Sequence, residues 1–373
     1  MNKQITWAIV AIVIISLVVW GVRSSGSKTQ NDANPIRIGI LNSLTGSAAP
    51  WGEAAKNGVD LAVKEINSKG GINGRLVEAV TEDDHTDGKQ ALSAYNKLVS
   101  IDDVQGVVGG VFDFSAIPIE PLALNNRVAF VSPQNFRMPG GFMGNEQSFV
   151  MMTDFSTVIR VAKEYLAASG VKKLAVVHFT SAWGNEISRT LDTVMKELGK
   201  GGVIDDSYTQ IGGNDFRTTV AKLKSQGVDA VFLDMLGDDP LNFLKRSKEL
   251  GFVPKVITYN GALDAFAGVN DKSLIEGVVI LNWEIYGKDF EVLYRNEYNS
   301  EPSKSSDKWF DAIYVMANAI ANSTSTEGVA SYIASHTFTT PNATIAFTAD
   351  HTVNSTPVEI QVIKDGKQVP WVK

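Results

Sequence analysis

Aromatic and short polar residues follow the ends of several predicted strands in this 373-residue chain. The aromatic ones are Trp51, Phe114, Trp183 and Trp283. The polar ones are Asp113, Ser115, Ser132, Gln134, Asn135, Asp234 and Asn260. A pocket for a small organic molecule needs this mixture, because rings supply apolar contact while hydroxyls, amides and backbone N–H groups fix orientation. We therefore predict a binding cleft, although each residue alone fits a turn at a strand end equally well.

Motifs for covalent chemistry are missing from the sequence. It contains no GxSxG elbow, no GxxxxGK[ST] phosphate loop, no GxGxxG after a strand and no HExxH. With no cysteine, disulfides, thiolate nucleophiles and cysteine-based metal sites are excluded. The four histidines have no metal-ligand spacing. We predict a binding protein that is not an enzyme and has no cofactor or metal.

One acidic loop, residues 82–88 with the sequence EDDHTDG, invites a second interpretation as a metal site. A plain turn is favoured, since acidic loops after strands are common and no further ligand group lies nearby. Within this loop, Asp87 is predicted to cap the helix that follows.

Composition bounds the class of protein. A chain of this length accommodates about two domains, each large enough for its own core. The formal net charge of −7 argues against a nucleic-acid partner, which requires a basic face.

A parallel sheet would place these cleft residues together at one edge. The sequence pattern of residues 36–82 predicts such a sheet. A short apolar strand at 36–41 turns through NSLTG into a helix from about Trp51, and a second strand follows from Arg75. Ala55, Val59 and Ile66 lie on one face of the helix. The glycines after it supply the left-handed conformation that ends a helix. A βαβ unit implies a parallel sheet, in which ligands bind beyond the carboxyl ends of the strands.

The N-terminus carries a membrane or export element. Residues 5–22 form an 18-residue stretch without charge, enough to span a bilayer. A poor cleavage site behind it, WGVR, favours an uncleaved anchor over a signal peptide, and both remain open. Residues 23–34 are polar and read as a flexible tether.

A family resemblance is carried by IGILNSLTGSAAPWGEAAKNGVDLAVKEINSKGGINGR. It resembles the opening of type I periplasmic solute-binding proteins of the branched-chain amino acid (Leu/Ile/Val-binding) family of ABC transporters. Their pattern is a strand, a GPLTG-like loop, a helix, INAAGGI and a strand. The later DAIYVMANAI also resembles the family's DAVYLLAEAI helix. The resemblance covers nearly everything after Pro35.

The resemblance implies an α/β fold of two Rossmann-like lobes with central parallel sheets, joined by a three-strand hinge. Lobe 1 is predicted to contain residues 35–152 and 282–350, and lobe 2 residues 153–281 and 351–373. Residues 1–34 form the anchor or signal and the tether. The segment 277–282 is expected to lead back to lobe 1.

The carried-over site departs from the family's amino acid clamp. Trp51 and Trp183 match the family's two cleft aromatics. Where amino acid binders offer a serine hydroxyl to the ligand carboxylate, Asp113 stands here. The Ala-x-Thr segment is replaced by QNF, which ends at Phe136, and the acid that meets the ammonium is replaced by Asn260. Asp113 would suit an amide, a hydroxyl or a cation. We therefore expect a ligand other than a plain branched-chain amino acid.

The resulting prediction is the receptor of an ABC importer, outside the cytoplasm and tethered to the membrane or secreted. It would capture a small polar organic ligand, amino acid-like or amide-like, by hinge closure and deliver it to a permease. An extracytoplasmic sensory or regulatory domain is the alternative, because the same fold serves receptors.

Overall fold

The computed structural model describes residues 34–353 and 357–372. The predicted membrane segment, residues 5–22, lies outside them. Within the described ranges no helix combines the length and apolarity that a membrane crossing requires.

The first βαβ unit has the predicted order. Strand β1 (Ile36–Asn42) pairs in parallel with β2 (Val77–Asp83), and helix α1 (Ala49–Ser68) connects them. The apolar residues at helical spacing are buried on one face of α1. The chain leaves α1 through Gly70 and Gly71, whose φ values of +89° and +78° are the predicted left-handed ending.

Three further strands complete the first sheet, in the order β2-β1-β3-β4-β5. All its pairings are parallel, so the carboxyl ends of the five strands meet at one edge. Its remaining elements in this part of the chain are α2 (Gly88–Ser100), β3 (Gly106–Gly109), α3 (Asp113–Ala116), α4 (Glu120–Asn126), β4 (Phe130–Ser132) and β5 (Ser148–Val150).

The middle of the chain builds most of a second sheet. Its strands are β6 (Leu174–Phe179), β7 (Ile204–Tyr208), β8 (Ala230–Asp234), β9 (Lys255–Tyr259) and β10 (Val279–Asn282), all parallel. Its helices are α5 (Phe155–Ala168), α6 (Ala182–Glu197), α7 (Arg217–Ser225), α8 (Asp239–Glu249) and α9 (Leu263–Ala267). The expected return over residues 277–282 is wrong, since the buried run Val-Ile-Leu-Asn is strand β10 of this sheet, and the chain turns back only after it.

The last part of the chain contributes elements to both lobes. The elements that pack on the first sheet are α10 (Lys288–Tyr298), α11 (Ser306–Asn322), α12 (Gly328–Ser335) and the hairpin β11 (Thr337–Thr339) and β12 (Thr344–Ala346). Strands β13 (Glu359–Lys364) and β14 (Lys367–Pro370) then extend the second sheet in antiparallel fashion beyond β10.

Each sheet has its own buried apolar cores, and with its helices it forms one lobe, called below the first-sheet lobe and the second-sheet lobe. The chain passes between them three times: after β5, after β10 and after β12. The predicted α/β architecture with central parallel sheets is therefore confirmed. The residue boundaries given above for lobes 1 and 2 stay a prediction.

Candidate ligand-binding site

A cleft of about 1040 Å³, including its opening to solvent, lies where the strand ends of the two lobes face each other. Most of the residues predicted for binding line it: Trp51, Asp113, Phe114, Gln134, Asn135, Trp183, Asp234 and Asn260, together with the aromatic candidate Trp283. Ser115 and Ser132 are fully buried and do not line it. A role in ligand binding stays a prediction for these two serines, for the other eight predicted residues and for Trp283.

Trp51 is placed by close contact between the start of α1 and the end of β1. The side-chain amide of Asn42 donates to the carbonyl of Gly52 (2.9 Å), and a Cβ on Gly52 would lie 1.9 Å from the carbonyl oxygen of Ser43. Only glycine therefore fits there. The Trp51 ring meets Phe112 edge-on, with 5.4 Å between centroids.

The acidic loop after β2 supports this corner. Asp84 is buried and accepts a hydrogen bond from the Ser43 hydroxyl (2.6 Å), while Asp83 accepts from the Thr45 hydroxyl (2.7 Å). Among the described residues no group of His, Cys, Asp and Glu side chains is arranged to hold a metal. Asp87 accepts from two backbone N–H groups of α2, which confirms its predicted role as the cap. The loop therefore anchors the β1–α1 turn.

Asp113 connects the two lobes. It opens α3 in the first-sheet lobe, and its carboxylate accepts a hydrogen bond from the backbone N–H of Trp183 (3.2 Å) in the second-sheet lobe. Burial raises the pKa of Asp113, while N–H groups of Trp183, Phe114 and Ala182 act in the opposite direction. The carboxylate thus sits at the N-terminus of α6, where a helix favours negative charge.

Four predicted polar residues of the first-sheet lobe are engaged with the protein itself. The Asn135 amide donates to the Gly110 carbonyl and to the Ser132 hydroxyl (both 2.8 Å). Gln134 accepts from the Trp309 indole (3.0 Å), and Ser115 donates to a carbonyl of its own turn. These contacts stabilise the loops after β3 and β4.

Asp234 ends β8 in the second-sheet lobe and is 3% exposed. One of its oxygens, Oδ1, accepts a hydrogen bond from the Tyr259 hydroxyl. The other, Oδ2, is buried and has no hydrogen-bond partner of good geometry among the described residues. Burial raises the pKa of Asp234 to about 6, opposed by Tyr259, by the nearby His178 and by the Trp183 side chain, and reinforced by the charge of Asp113.

Asn260 positions the aromatic residue after β10. Its amide donates to the side-chain oxygen of Asn282, and its own oxygen accepts from the backbone N–H of Trp283 (3.1 Å). Both functional groups of this side chain are therefore occupied within the second-sheet lobe.

Five aromatic rings gather on this side of the cleft. Trp283 stacks on Tyr259 (5.3 Å, 19° between planes) and meets Phe136 edge-on (5.1 Å). Trp183 lies 4.7 Å from Phe136 and 5.3 Å from Phe155. Phe136 belongs to the first-sheet lobe's β4–β5 connection, so the cluster spans the interface.

Among the cleft-lining residues that sequence reasoning missed are Tyr259, Glu284 and Lys304. Glu284 is half-buried, and desolvation and the charge of Asp307 raise its pKa. It accepts hydrogen bonds from the backbone N–H (3.0 Å) and hydroxyl (3.1 Å) of Ser305. The sequence signal was present, because Trp-Glu directly follows the apolar run of β10 at a strand end.

The whole described fold matches a known family. The model of the periplasmic binding protein family matches residues 35–368. The chain belongs to the periplasmic binding protein family. It is therefore a solute-binding protein rather than an enzyme, and its place is outside the cytoplasm.

Individual relatives agree with this family. The chain is 26% identical over 260 residues, 69% of each chain, to the leucine-specific-binding protein of Salmonella typhimurium. It is 32% identical over 200 residues, 53% of each chain, to Leu/Ile/Val-binding protein homolog 3 of Brucella melitensis. The crystal structure of the branched-chain amino acid transporter substrate-binding protein LivJ from Streptococcus pneumoniae superimposes with a TM-score of 0.77 at 23% identity. That match covers 90% of this chain and 97% of LivJ and supports the fold.

Proposed function

We propose that this family member is the solute-binding receptor of an ABC importer, which captures a small polar organic ligand, amino acid-like or amide-like, between its lobes. The observation that carries the proposal is the cleft itself. It is lined from both lobes by aromatic rings and a few convergent polar groups, as pockets for small molecules are. A binding protein needs only such contacts and no reactive group.

Hinge closure is the mechanism that this arrangement supports. Three chain passages connect the lobes, few enough for one lobe to rotate against the other. The contact between Asp113 and the N–H of Trp183 joins the cleft walls directly. An open form would lose this hydrogen bond, and a ligand that bridges both walls favours the closed form.

The relatives support the importer assignment. Two of them are named for binding leucine or leucine, isoleucine and valine, and LivJ is described as the substrate-binding protein of a branched-chain amino acid transporter, in complex with isoleucine. We extend the transport role to this chain, with a membrane permease as its partner and residues 5–22 as its membrane anchor, or as a signal if cleaved.

Ligand screening tests the proposal. The full-length protein, purified in mild detergent, is heated with amino acids, amides, amines and small aromatic acids. A ligand that binds only the folded state raises the unfolding temperature as its concentration rises. Because Trp51, Trp183 and Trp283 line the cleft, such a ligand should also change the tryptophan fluorescence. If no small solute produces either effect, the receptor proposal is wrong.

A further inference from the structure

The cleft carries more negative than positive charge. Its described lining contains three carboxylates, Asp113, Asp234 and Glu284, and one ammonium group, Lys304. Lys304 already has an interaction partner in the protein. Burial opposes ionisation of all three acids. Lys308 already offsets part of the charge of Glu284. Enclosing the charges of Asp113 and Asp234 without compensation is costly, so a ligand of positive charge would be favoured over a neutral or negative one.

Asp234 is the group that most needs a partner. Its Oδ2 is buried without a hydrogen bond of good geometry among the described residues, although the Trp183 side chain stabilises the carboxylate. This oxygen lies beside the first turn of α6, where a Cβ on Gly184 would come within 2.8 Å. His178 does not complete it. One ring nitrogen of His178 contacts the Phe179 carbonyl (2.9 Å) and the other the Asp205 carboxylate (3.1 Å).

Aromatic rings line the cleft beside Asp234. Trp283 and Tyr259 stack on each other, and Trp183 and Phe136 continue the wall. Aromatic faces attract cations, most strongly where water is excluded. Carboxylates and aromatic rings in one cleft form an environment that an ammonium group fits and a carboxylate does not.

We propose that the ligand is a small organic cation, an ammonium group on a compact apolar body, with Asp234 and Asp113 as its counter-ions and the rings of Trp183 and Trp283 beside it. The inference rests on the proposed receptor function and specifies its substrate class. An α-amino acid adds a carboxylate, which would meet the negative charge of Asp113.

Four compounds with one isobutyl body and different charges test the inference by calorimetry on the full-length protein. They are 3-methylbutylamine (cation), 3-methylbutanamide (neutral), L-leucine (zwitterion) and 3-methylbutanoate (anion). We expect the amine to bind about tenfold more tightly than the amide, because a hydrogen bond to a charged group is stronger than a neutral one by about the 1.4 kcal/mol that corresponds to tenfold. Tighter binding of leucine, the amide or the anion overturns the inference.

Variants then locate the charge. Asp234→Asn keeps an acceptor for Tyr259 and removes the charge, so the ratio of amine to amide affinity should fall about tenfold. Asp113→Asn, which can still accept a hydrogen bond from Trp183, should lower the same ratio. It is the substitute test if Asp234→Asn does not fold. Asp60→Asn is the matched control, because this acid pairs with Lys56 on the surface of α1 and should leave the ratio unchanged. An unchanged ratio in both cleft variants contradicts the assignment.

The two proposals fail differently. If a neutral or anionic solute in the broad panel binds and no amine does, the receptor function stands and the cation inference falls. If no compound of any charge binds, the cation inference falls together with the receptor proposal.

Discussion

The two walls of the cleft use their polar residues differently. In the first-sheet lobe, Ser132, Gln134 and Asn135 form hydrogen bonds with other residues of the same lobe. In the second-sheet lobe, Asp234 keeps a buried oxygen without a hydrogen bond among the described residues, next to a cluster of aromatic rings. The polar residues at the end of β4 thus form a preformed frame, whereas Asp234 at the end of β8 is a group whose pairing a ligand can complete.

Removing an aromatic ring should give the largest difference in stability between variants of the two walls. Trp283→Ala empties a site that is 5% exposed and in contact with three other rings, so we expect a loss of about 3–5 kcal/mol in the free energy of unfolding. Trp51→Ala on the other wall removes a partly exposed ring and should cost about 1–2 kcal/mol. Denaturant unfolding of both variants measures this, and equal losses would contradict the comparison.

A pH dependence should identify Asp234. Its pKa of about 6 in the folded protein lies above that of an unfolded aspartate, so the folded state holds the proton more strongly. Its contribution is therefore favourable below about pH 4 and decreases by roughly 2–3 kcal/mol as pH rises through 6. The groups that face it are His178, Tyr208, Tyr259 and Asp113.

Unfolding of the ligand-free protein at pH 5 and pH 7.5 tests this sign. Asp234→Asn should be more stable than wild type at pH 7.5 and should show the smaller difference between the two pH values. The difference between variant and wild type is the informative quantity, because Asp311, whose pKa burial raises to about 7, changes in both proteins. A variant that is less stable at pH 7.5 would show that the carboxylate is already well compensated.

Binding of a cation should follow the same titration. At pH 5 an ammonium ligand must displace the proton on Asp234, so its affinity should be about tenfold lower than at pH 7.5. Calorimetry of 3-methylbutylamine at both pH values measures the effect, with Asp234→Asn as the control that should lose it. Equal affinity at both pH values would exclude Asp234 as the counter-ion.

Much of this architecture could be predicted from the sequence, because it depends on local pattern. The spacing of apolar residues in α1 and the glycines after it fix one helix and its end. The use of side chains at the site could not be predicted in the same way. Whether Asn135 faces a ligand or the Gly110 carbonyl depends on contacts between residues 25 positions apart. Glu284 was missed because its burial depends on α11 folding back over the end of β10.

The smallest expected effects concern the interface and the frame. With a neutral solute, for which Asp113 is no counter-ion, Asp113→Ala removes the hydrogen bond to Trp183 and should weaken ligand binding by about 1 kcal/mol, because closure loses one contact. Calorimetry with a neutral bound solute measures it, and unchanged affinity would show that the contact has no part in closure.

Ser132→Ala removes one partner of Asn135 and should lower the free energy of unfolding by about 1 kcal/mol with ligand affinity unchanged. Ser132 does not line the cleft. A change in ligand affinity would therefore contradict this expectation and show that the hydroxyl contributes to ligand binding. Unfolding and titration of the same preparation separate the two outcomes.

Capture of a solute between moving lobes is tested most directly by a distance across the cleft. The chain has no cysteine, so Gln90→Cys on α2 and Thr218→Cys on α7 allow spin labels to be placed on exposed positions of the two lobes. We expect a broad distribution of label distances in the free protein and a single, narrower one when a solute that raises the unfolding temperature is added. Binding that leaves the distance distribution unchanged would contradict closure on the ligand.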